Sequence, residues 1–177
     1  MCLTQHPVLE IQERSTQPSL AFFQWPAISK FMEWDIERDE NYEKAISKIA
    51  DYVSRRDHSE RELRDKLLRK FDSELVEQVI ARAHELDWIP SPEALAKKVA
   101  AELDRKNKGY LYIQNYLRQK GLPSVPSDSQ VELQKATDLV ERKFGELPIE
   151  DHQARQKAWQ FLASRGFLSE TVREILG

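Results

Sequence analysis

Apolar residues recur every three or four positions along most of the chain, the spacing of one buried helix face. Between Asn41 and Ile89 there is no Gly and no Pro, so no backbone breaker interrupts helix. Ser59, with Glu62 three residues later, is typical of a capping box that begins a helix inside this stretch. Alternating strand patterns are nearly absent. The pattern therefore predicts an all-α protein, with three short helices in this first stretch.

Prolines and glycines divide the remainder. Pro92 suits the first turn of a fourth helix, and Gly109 is predicted to cap its C-terminus. A fifth helix ends near Gly121, and Pro123 and Pro126 forbid helix until about residue 127. Three more helices follow, and the first of these ends at a glycine. That glycine is Gly145. We expect the second helix to begin at Pro148 and the last to begin at a cap formed by Ser169.

The helix ends share one scheme: an apolar residue and Leu, then polar residues, a basic residue and a turn. It occurs at residues 66–71, 116–121 and 161–166, roughly the spacing of a helical repeat array. We therefore predict tandem three-helix, helix-turn-helix-like repeats that stack into an elongated, curved array. The predicted divisions are repeat 1 at 41–89, repeat 2 at 90–126 with its third helix missing, and repeat 3 at 127–177. Residues 1–40, with three basic and seven acidic residues, are predicted to be a mostly irregular N-terminal leader.

The composition and the motifs exclude several classes of protein and of binding site. The net charge is −3, and the single cysteine, Cys2, cannot form an internal disulfide, which fits the cytoplasm. No apolar run is long enough to span a membrane, and no secretion signal is visible. The four histidines are isolated, and each of the five glycines stands alone, so metal clusters and phosphate-binding loops are not indicated. We therefore expect no enzyme, no cofactor and no metal.

A basic window is the main candidate for binding. Residues 97–120 hold seven basic residues against two acidic ones, interleaved with three tyrosines. Such a surface can neutralise phosphates and stack on bases, or match an acidic groove of a protein. From the residues alone, a solvated helix face is the commoner explanation. The candidate partner-binding residues are Lys97, Lys98, Arg105, Lys106, Lys108, Tyr110, Arg118 and Lys120.

The ordered motifs resemble those of the RecX family. The segment from Ser59 to Leu67 is similar to its Ser-x-x-Glu-Leu-x-x-Lys-Leu signature, and residues 109–121 are similar to its second signature. Residues 142–145 and 161–167 resemble its third repeat. The sequence departs from the family at Leu95, where an aromatic residue is usual, and in the shortened second repeat.

The resemblance implies tandem three-helix repeats and a regulator in a bacterial cytoplasm. It further implies binding to the RecA recombinase filament, with reduced ATPase, strand-exchange and co-protease activities in DNA repair and the SOS response. Single-stranded or duplex DNA could also bind through the 97–120 patch. The alternatives are a helix-turn-helix DNA-binding regulator that acts without RecA, and a scaffold that engages other helices. No heptad seam is visible, so we expect a monomer.

Overall fold

A computed structural model describes residues 28–177, with side chains from residue 40 onward. This part of the chain contains eight helices and no strand, which confirms the predicted all-α class. The contacts discussed below lie within one compact part, Glu37–Gly177. The helices are α1 Ile28–Arg55, α2 Glu60–Leu67, α3 Ser73–Glu85, α4 Pro92–Arg105, α5 Tyr110–Gln119, α6 Ser129–Phe144, α7 His152–Arg165 and α8 Ser169–Leu176.

Helix α1 begins earlier than the sequence pattern predicted. The expected irregular leader covered residues 1–40, but α1 starts at Ile28, so residues 28–40 are helical. Pro26 is the last breaker before Pro90, so helix can extend back to Ile28 without interruption. The rest of the predicted leader, residues 1–27, lies outside the described residues.

Buried apolar side chains form three clusters, each drawn from one stretch of the described chain. They span residues 45–89, 95–122 and 136–176. We call α1–α3 the first unit, α4 and α5 with the segment to residue 128 the middle unit, and α6–α8 the third unit. Among the described residues, the helix pairs in most extensive contact lie within a unit. The joints between units therefore depend on a small number of specific contacts.

Helix ends follow the cap chemistry of the sequence in part. The Ser59 hydroxyl accepts from the Glu62 N–H at 3.2 Å, and the Glu62 carboxylate accepts from the Ser59 N–H at 3.3 Å, which confirms the capping box. Gly109 was expected to cap the C-terminus of α4. Instead, Asn107 adopts the positive φ of +55° there, and Gly109 is the N-cap of α5 with an ordinary φ of −79°.

The third unit also differs from expectation at two helix starts. Helix α7 begins at His152 rather than at Pro148, because the Asp151 carboxylate accepts from the backbone N–H of Ala154 at 2.9 Å. The N-cap of α8 is Leu168, and Ser169 is the first helical residue. Helix α7 is therefore shorter at its N-terminus than the sequence suggested, whereas α8 begins one residue earlier than expected.

The middle unit has two helices. After α5 the chain runs without helix from Leu122 to Asp128. Leu122 is buried in the middle cluster, and the Gln114 side-chain amide donates to the Val125 carbonyl at 2.7 Å. Asp128 then caps α6 by accepting from the Gln130 N–H at 2.9 Å. This segment is held against α5 and forms one wall of a groove that α4, α5 and the start of α6 complete.

Candidate partner-binding surface

The eight predicted binding residues lie on α4, on α5 and in the turns that follow each helix. Five of their side chains are exposed, and those of Lys108, Tyr110 and Lys120 are half-buried. The exposed five are Lys97, Lys98, Arg105, Lys106 and Arg118. The structure does not bring all eight into one patch, because consecutive positions of α4 point in different directions around its axis.

Two of the cations connect the middle unit to the first. Lys98 Nζ lies 2.5 Å from Asp57 Oδ2, and Lys120 Nζ lies 2.5 Å from Glu62 Oε1. Asp57 lies in the turn after α1, and Glu62 lies on α2. Lys98 and Lys120 therefore form the first joint of the array, and much of their charge is neutralised within the protein.

The other cations differ in how well they are compensated. Lys106 pairs with Glu102 one turn earlier on α4, at 2.6 Å. Lys108 Nζ lies 4.2 Å from the centroid of the Tyr112 ring, and Arg118 donates to an amide oxygen on its own helix. Among the described residues, Lys97 and Arg105 form no hydrogen bond or salt bridge, although Arg105 lies close enough to Glu102 to help lower the pKa of that carboxyl. These two side chains carry the charge of α4 that is most available to another molecule.

Glu62 has a second role that the capping box does not reveal. Its carboxylate accepts from Lys120 Nζ and from Arg56 at 3.2 Å, besides the Ser59 N–H. Burial alone would raise the pKa of Glu62, but the hydrogen bonds from Lys120, Arg56 and the Ser59 N–H outweigh it and lower that pKa from 4.5 to about 2. No local pattern predicts a partner 58 positions away.

His58 lies beside this carboxylate in the turn between α1 and α2. It is buried, and its Nε2 lies 2.6 Å from Lys66 Nζ, while its Nδ1 lies 2.9 Å from the Arg56 carbonyl oxygen. Burial lowers the pKa of His58, and burial together with nearby Arg56 lowers the pKa of Lys66. The neutral imidazole therefore donates through Nδ1 and accepts from Lys66 through Nε2. This arrangement fixes the turn that presents Glu62 to the middle unit.

The joint between the middle and third units uses backbone groups. The Gly109 N–H donates to the Arg165 carbonyl at 2.8 Å, and the Leu111 N–H donates to the Gly166 carbonyl at 2.9 Å. A Cβ on Gly109 would lie 2.4 Å from the Phe167 nitrogen. Gly166 has a φ of +81°, and a Cβ there would lie 2.5 Å from the Tyr112 nitrogen. Both positions therefore require glycine, for reasons beyond ending a helix.

A buried ionic cluster reinforces this second joint. The Glu132 carboxylate on α6 accepts from the Tyr110 N–H at 3.1 Å and also contacts Lys135 Nζ. Lys135 Nζ in turn lies 2.6 Å from Asp104 Oδ1 and donates to the Lys108 carbonyl at 3.0 Å. Glu132 thus caps α5, whose own N-cap residue has no side chain. No local sequence pattern indicates this cluster, because its members are separated by up to 31 positions.

Two other kinds of site are absent from the described part of the chain. Within the described residues, no group of three or more His, Cys, Asp or Glu side chains is placed to hold a metal ion. Over the same part of the chain, no helix combines the length and apolarity needed to cross a bilayer.

The fold defines an all-helical protein made of small helical units joined by polar contacts. Family descriptions of the first and third three-helix domains of RecX match residues 45–82 and 130–176. The Regulatory protein RecX of Chlorobaculum tepidum is 37% identical over 125 residues, which cover 67% of this chain and 78% of the relative. That of Acidithiobacillus ferrooxidans is 32% identical over 130 residues, covering 71% and 83%. The chain belongs to the RecX family of regulatory proteins, which confirms the resemblance seen in its motifs.

Solved structures agree with the fold. The crystal structure of RecX from Lactobacillus salivarius superposes with a TM-score of 0.65 and 18% identity, covering 77% of this chain and 94% of that one. A second crystal structure of regulatory protein RecX gives a TM-score of 0.62 and 23% identity, covering 81% and 75%. The helical units described above are therefore an arrangement that these proteins share.

Proposed function

We propose that this protein binds the filament of the RecA recombinase and lowers its ATPase, strand-exchange and co-protease activities. Membership of the RecX family carries the proposal, because relatives matching two thirds or more of the chain are named regulatory proteins. RecA as the partner follows from the resemblance of the ordered motifs. We place the action in the bacterial cytoplasm, where RecA filaments form on DNA, and expect the protein to act as a monomer.

The proposed mechanism is steric and electrostatic. A helical repeat array offers an extended surface that can follow a helical polymer and contact more than one protomer. Bound there, it occupies space needed by incoming duplex or by a cleavage substrate, and it hinders the rearrangement of protomers that accompanies ATP turnover. This mode of action needs no cofactor.

The charge pattern supports a protein partner over a nucleic acid. Lys98, Lys106 and Lys120 already pair with carboxylates of the same chain. The excess of positive charge in the sequence window is therefore smaller at the surface than the count of residues suggests. Lys97 and Arg105 remain available, and two cations can match a few acidic residues of a protein better than a run of phosphates.

The test is ATP hydrolysis by the cognate RecA on single-stranded DNA, with this protein titrated in at fixed salt. We expect inhibition at well below one molecule per RecA protomer. Fixed salt is needed because association between charged surfaces is screened by ions. If RecA hydrolysis is unchanged by folded protein at equimolar concentration, the proposal fails. Binding to duplex DNA without RecA would then favour the DNA-binding regulator.

A matched pair of variants tests the role of the free cations. Arg105→Glu reverses a charge that forms no salt bridge or hydrogen bond in the described residues, and Lys157→Glu makes the same change of charge at an exposed position of α7. We expect Arg105→Glu to raise the concentration for half-inhibition by several fold and Lys157→Glu to leave it near the wild-type value. Equal effects of both variants would indicate a response to net charge alone and would remove Arg105 from the binding surface.

A further inference from the structure

Lys66 and His58 form a contact between two nitrogens beside the first joint. Lys66 lies on α2 and His58 in the turn before it, and Lys66 Nζ lies 2.6 Å from His58 Nε2. The other ring nitrogen, Nδ1, lies 2.9 Å from the Arg56 carbonyl oxygen. Because a carbonyl oxygen only accepts hydrogen bonds, Nδ1 carries a proton. In the neutral ring, Nε2 therefore presents its lone pair to Lys66.

The length of this contact limits the charge of the pair. Two nitrogens 2.6 Å apart have room for one proton between them. An ammonium on Lys66 therefore requires the neutral ring, and a protonated ring requires the uncharged amine on Lys66. The pair holds one positive charge in either case. Moving the shared proton to His58 gives Nζ the lone pair that nucleophilic attack requires and that an ammonium lacks.

The surroundings of Lys66 favour the uncharged amine. His58 is buried and Lys66 is half-buried. The Glu62 carboxylate and the Tyr52 ring, whose centroid lies 4.6 Å from Nζ, stabilise the ammonium. Burial and three nearby cations oppose them and lower the pKa of Lys66. These cations are Arg56, Lys120 and Arg69.

We propose that Lys66 is a site of acylation by small acyl phosphates and that His58 takes up its proton. Nζ attacks the carbonyl carbon of the acyl phosphate and forms the N–C bond, while the C–O bond to the phosphate breaks and leaves its electron pair on the phosphate oxygen. One proton of Nζ passes to the released phosphate, and the protonated His58 ring returns the other to water. The product is an uncharged amide, so one of the cations around the Glu62–Lys120 pair is lost.

Acetyl phosphate is the probe, because it is small enough to reach a half-buried amine. The folded protein is incubated with it at pH 7.5, and the acetylated fraction of each lysine is followed over time by mass spectrometry of peptides. Lys97 is the internal reference, because it is exposed and forms no hydrogen bond or salt bridge among the described residues. We expect the initial rate at Lys66 to be at least five times the rate at Lys97.

Two histidine variants test the uptake of the proton. His58→Gln should bring the two rates within twofold of each other, because the amide oxygen can accept a hydrogen bond from Lys66 but cannot take its proton. His84→Gln is the matched control. It changes an exposed histidine that contacts Glu60, and it should leave the ratio of the two rates unchanged.

Two results would overturn the proposal. The first is a rate at Lys66 of wild-type protein no higher than at Lys97, whatever the variants show. The second is an undiminished ratio in His58→Gln that is folded by circular dichroism. Should His58→Gln not fold, the pH dependence in wild-type protein decides. Between pH 6.5 and pH 9 the rate at Lys66 should increase less steeply than at Lys97, and parallel increases would refute a proton shared with His58.

Discussion

Replacing Glu62 with Gln would test the first joint while leaving the start of α2 intact. Gln at this position can still accept from the Ser59 N–H, so the capping box survives. The ionic contacts to Lys120 and Arg56 are lost. The fall in the pKa of Glu62 from 4.5 to about 2 sets an upper bound of about 3 kcal/mol on what the charge contributes. The Arg56 side chain is 56% exposed and that of Lys120 28%, so solvent screening reduces this to about 1–2 kcal/mol.

The difference in the free energy of unfolding between wild type and Glu62→Gln should depend on pH, and this dependence identifies the charge of Glu62 as its cause. Because the folded pKa of Glu62 lies below the unfolded value of 4.5, the charge stabilises the fold fully above about pH 4.5, and the stabilisation is lost as the pH falls toward 2. With these pKa values, about two-fifths of the contribution remains at pH 3. The measurement is urea unfolding of wild type and variant at pH 7 and pH 3, followed by circular dichroism. A difference below about 0.5 kcal/mol at pH 7, or one that is unchanged at pH 3, would refute the assignment.

Two further predictions concern the second joint. Gly109→Ala should destabilise the protein by about 2–3 kcal/mol, because the new Cβ would lie 2.4 Å from the Phe167 nitrogen. Gly145→Ala should destabilise it by only about 1 kcal/mol, because Gly145 has a φ of +97° but a Cβ there would have no atom within 4 Å. Urea unfolding of both variants checks this, and equal losses would contradict a role for close approach. Lys135→Met should lower the free energy of unfolding by about 3 kcal/mol, because it leaves Glu132 without its cation. Adding Glu132→Gln should recover part of this loss, because the amide oxygen can still accept a hydrogen bond from the Tyr110 N–H. A double variant no more stable than the single one would indicate that packing, not charge, holds this cluster.

The helical units were predictable from sequence to the extent that local chemistry determines them. Ser59 and Glu62 lie three positions apart, so their mutual bonds can be read directly from the chain. The start of α1 was misplaced because residues 28–40 have no clear apolar period, although they also contain no breaker. Gly109 was assigned to the wrong helix end because its requirement comes from Phe167, 58 positions later, and no local pattern records that contact.

The sequence predicts which cations the candidate binding surface contains, but not how they are arranged or paired. The sequence window identified every cation of α4 and α5, but it treated them as equivalent. The structure separates Lys98 and Lys120, which bind carboxylates of the first unit, from Lys97 and Arg105, which form no salt bridge or hydrogen bond within the described residues. The groove beside the middle unit had no sequence signal of its own, because its walls come from four segments that are brought together only by folding.

The two joints differ in how they constrain the divergence of the sequence. The pair of Asp57 and Lys98 can be replaced by any two side chains of opposite charge, including the reversed pair, so substitutions there can compensate for one another. Gly109 and Gly166 offer no such exchange, because each must lack a side chain for the backbones to meet. Relatives of this protein should therefore vary in charge at the positions of Asp57 and Lys98 and keep glycine at both positions of the second joint.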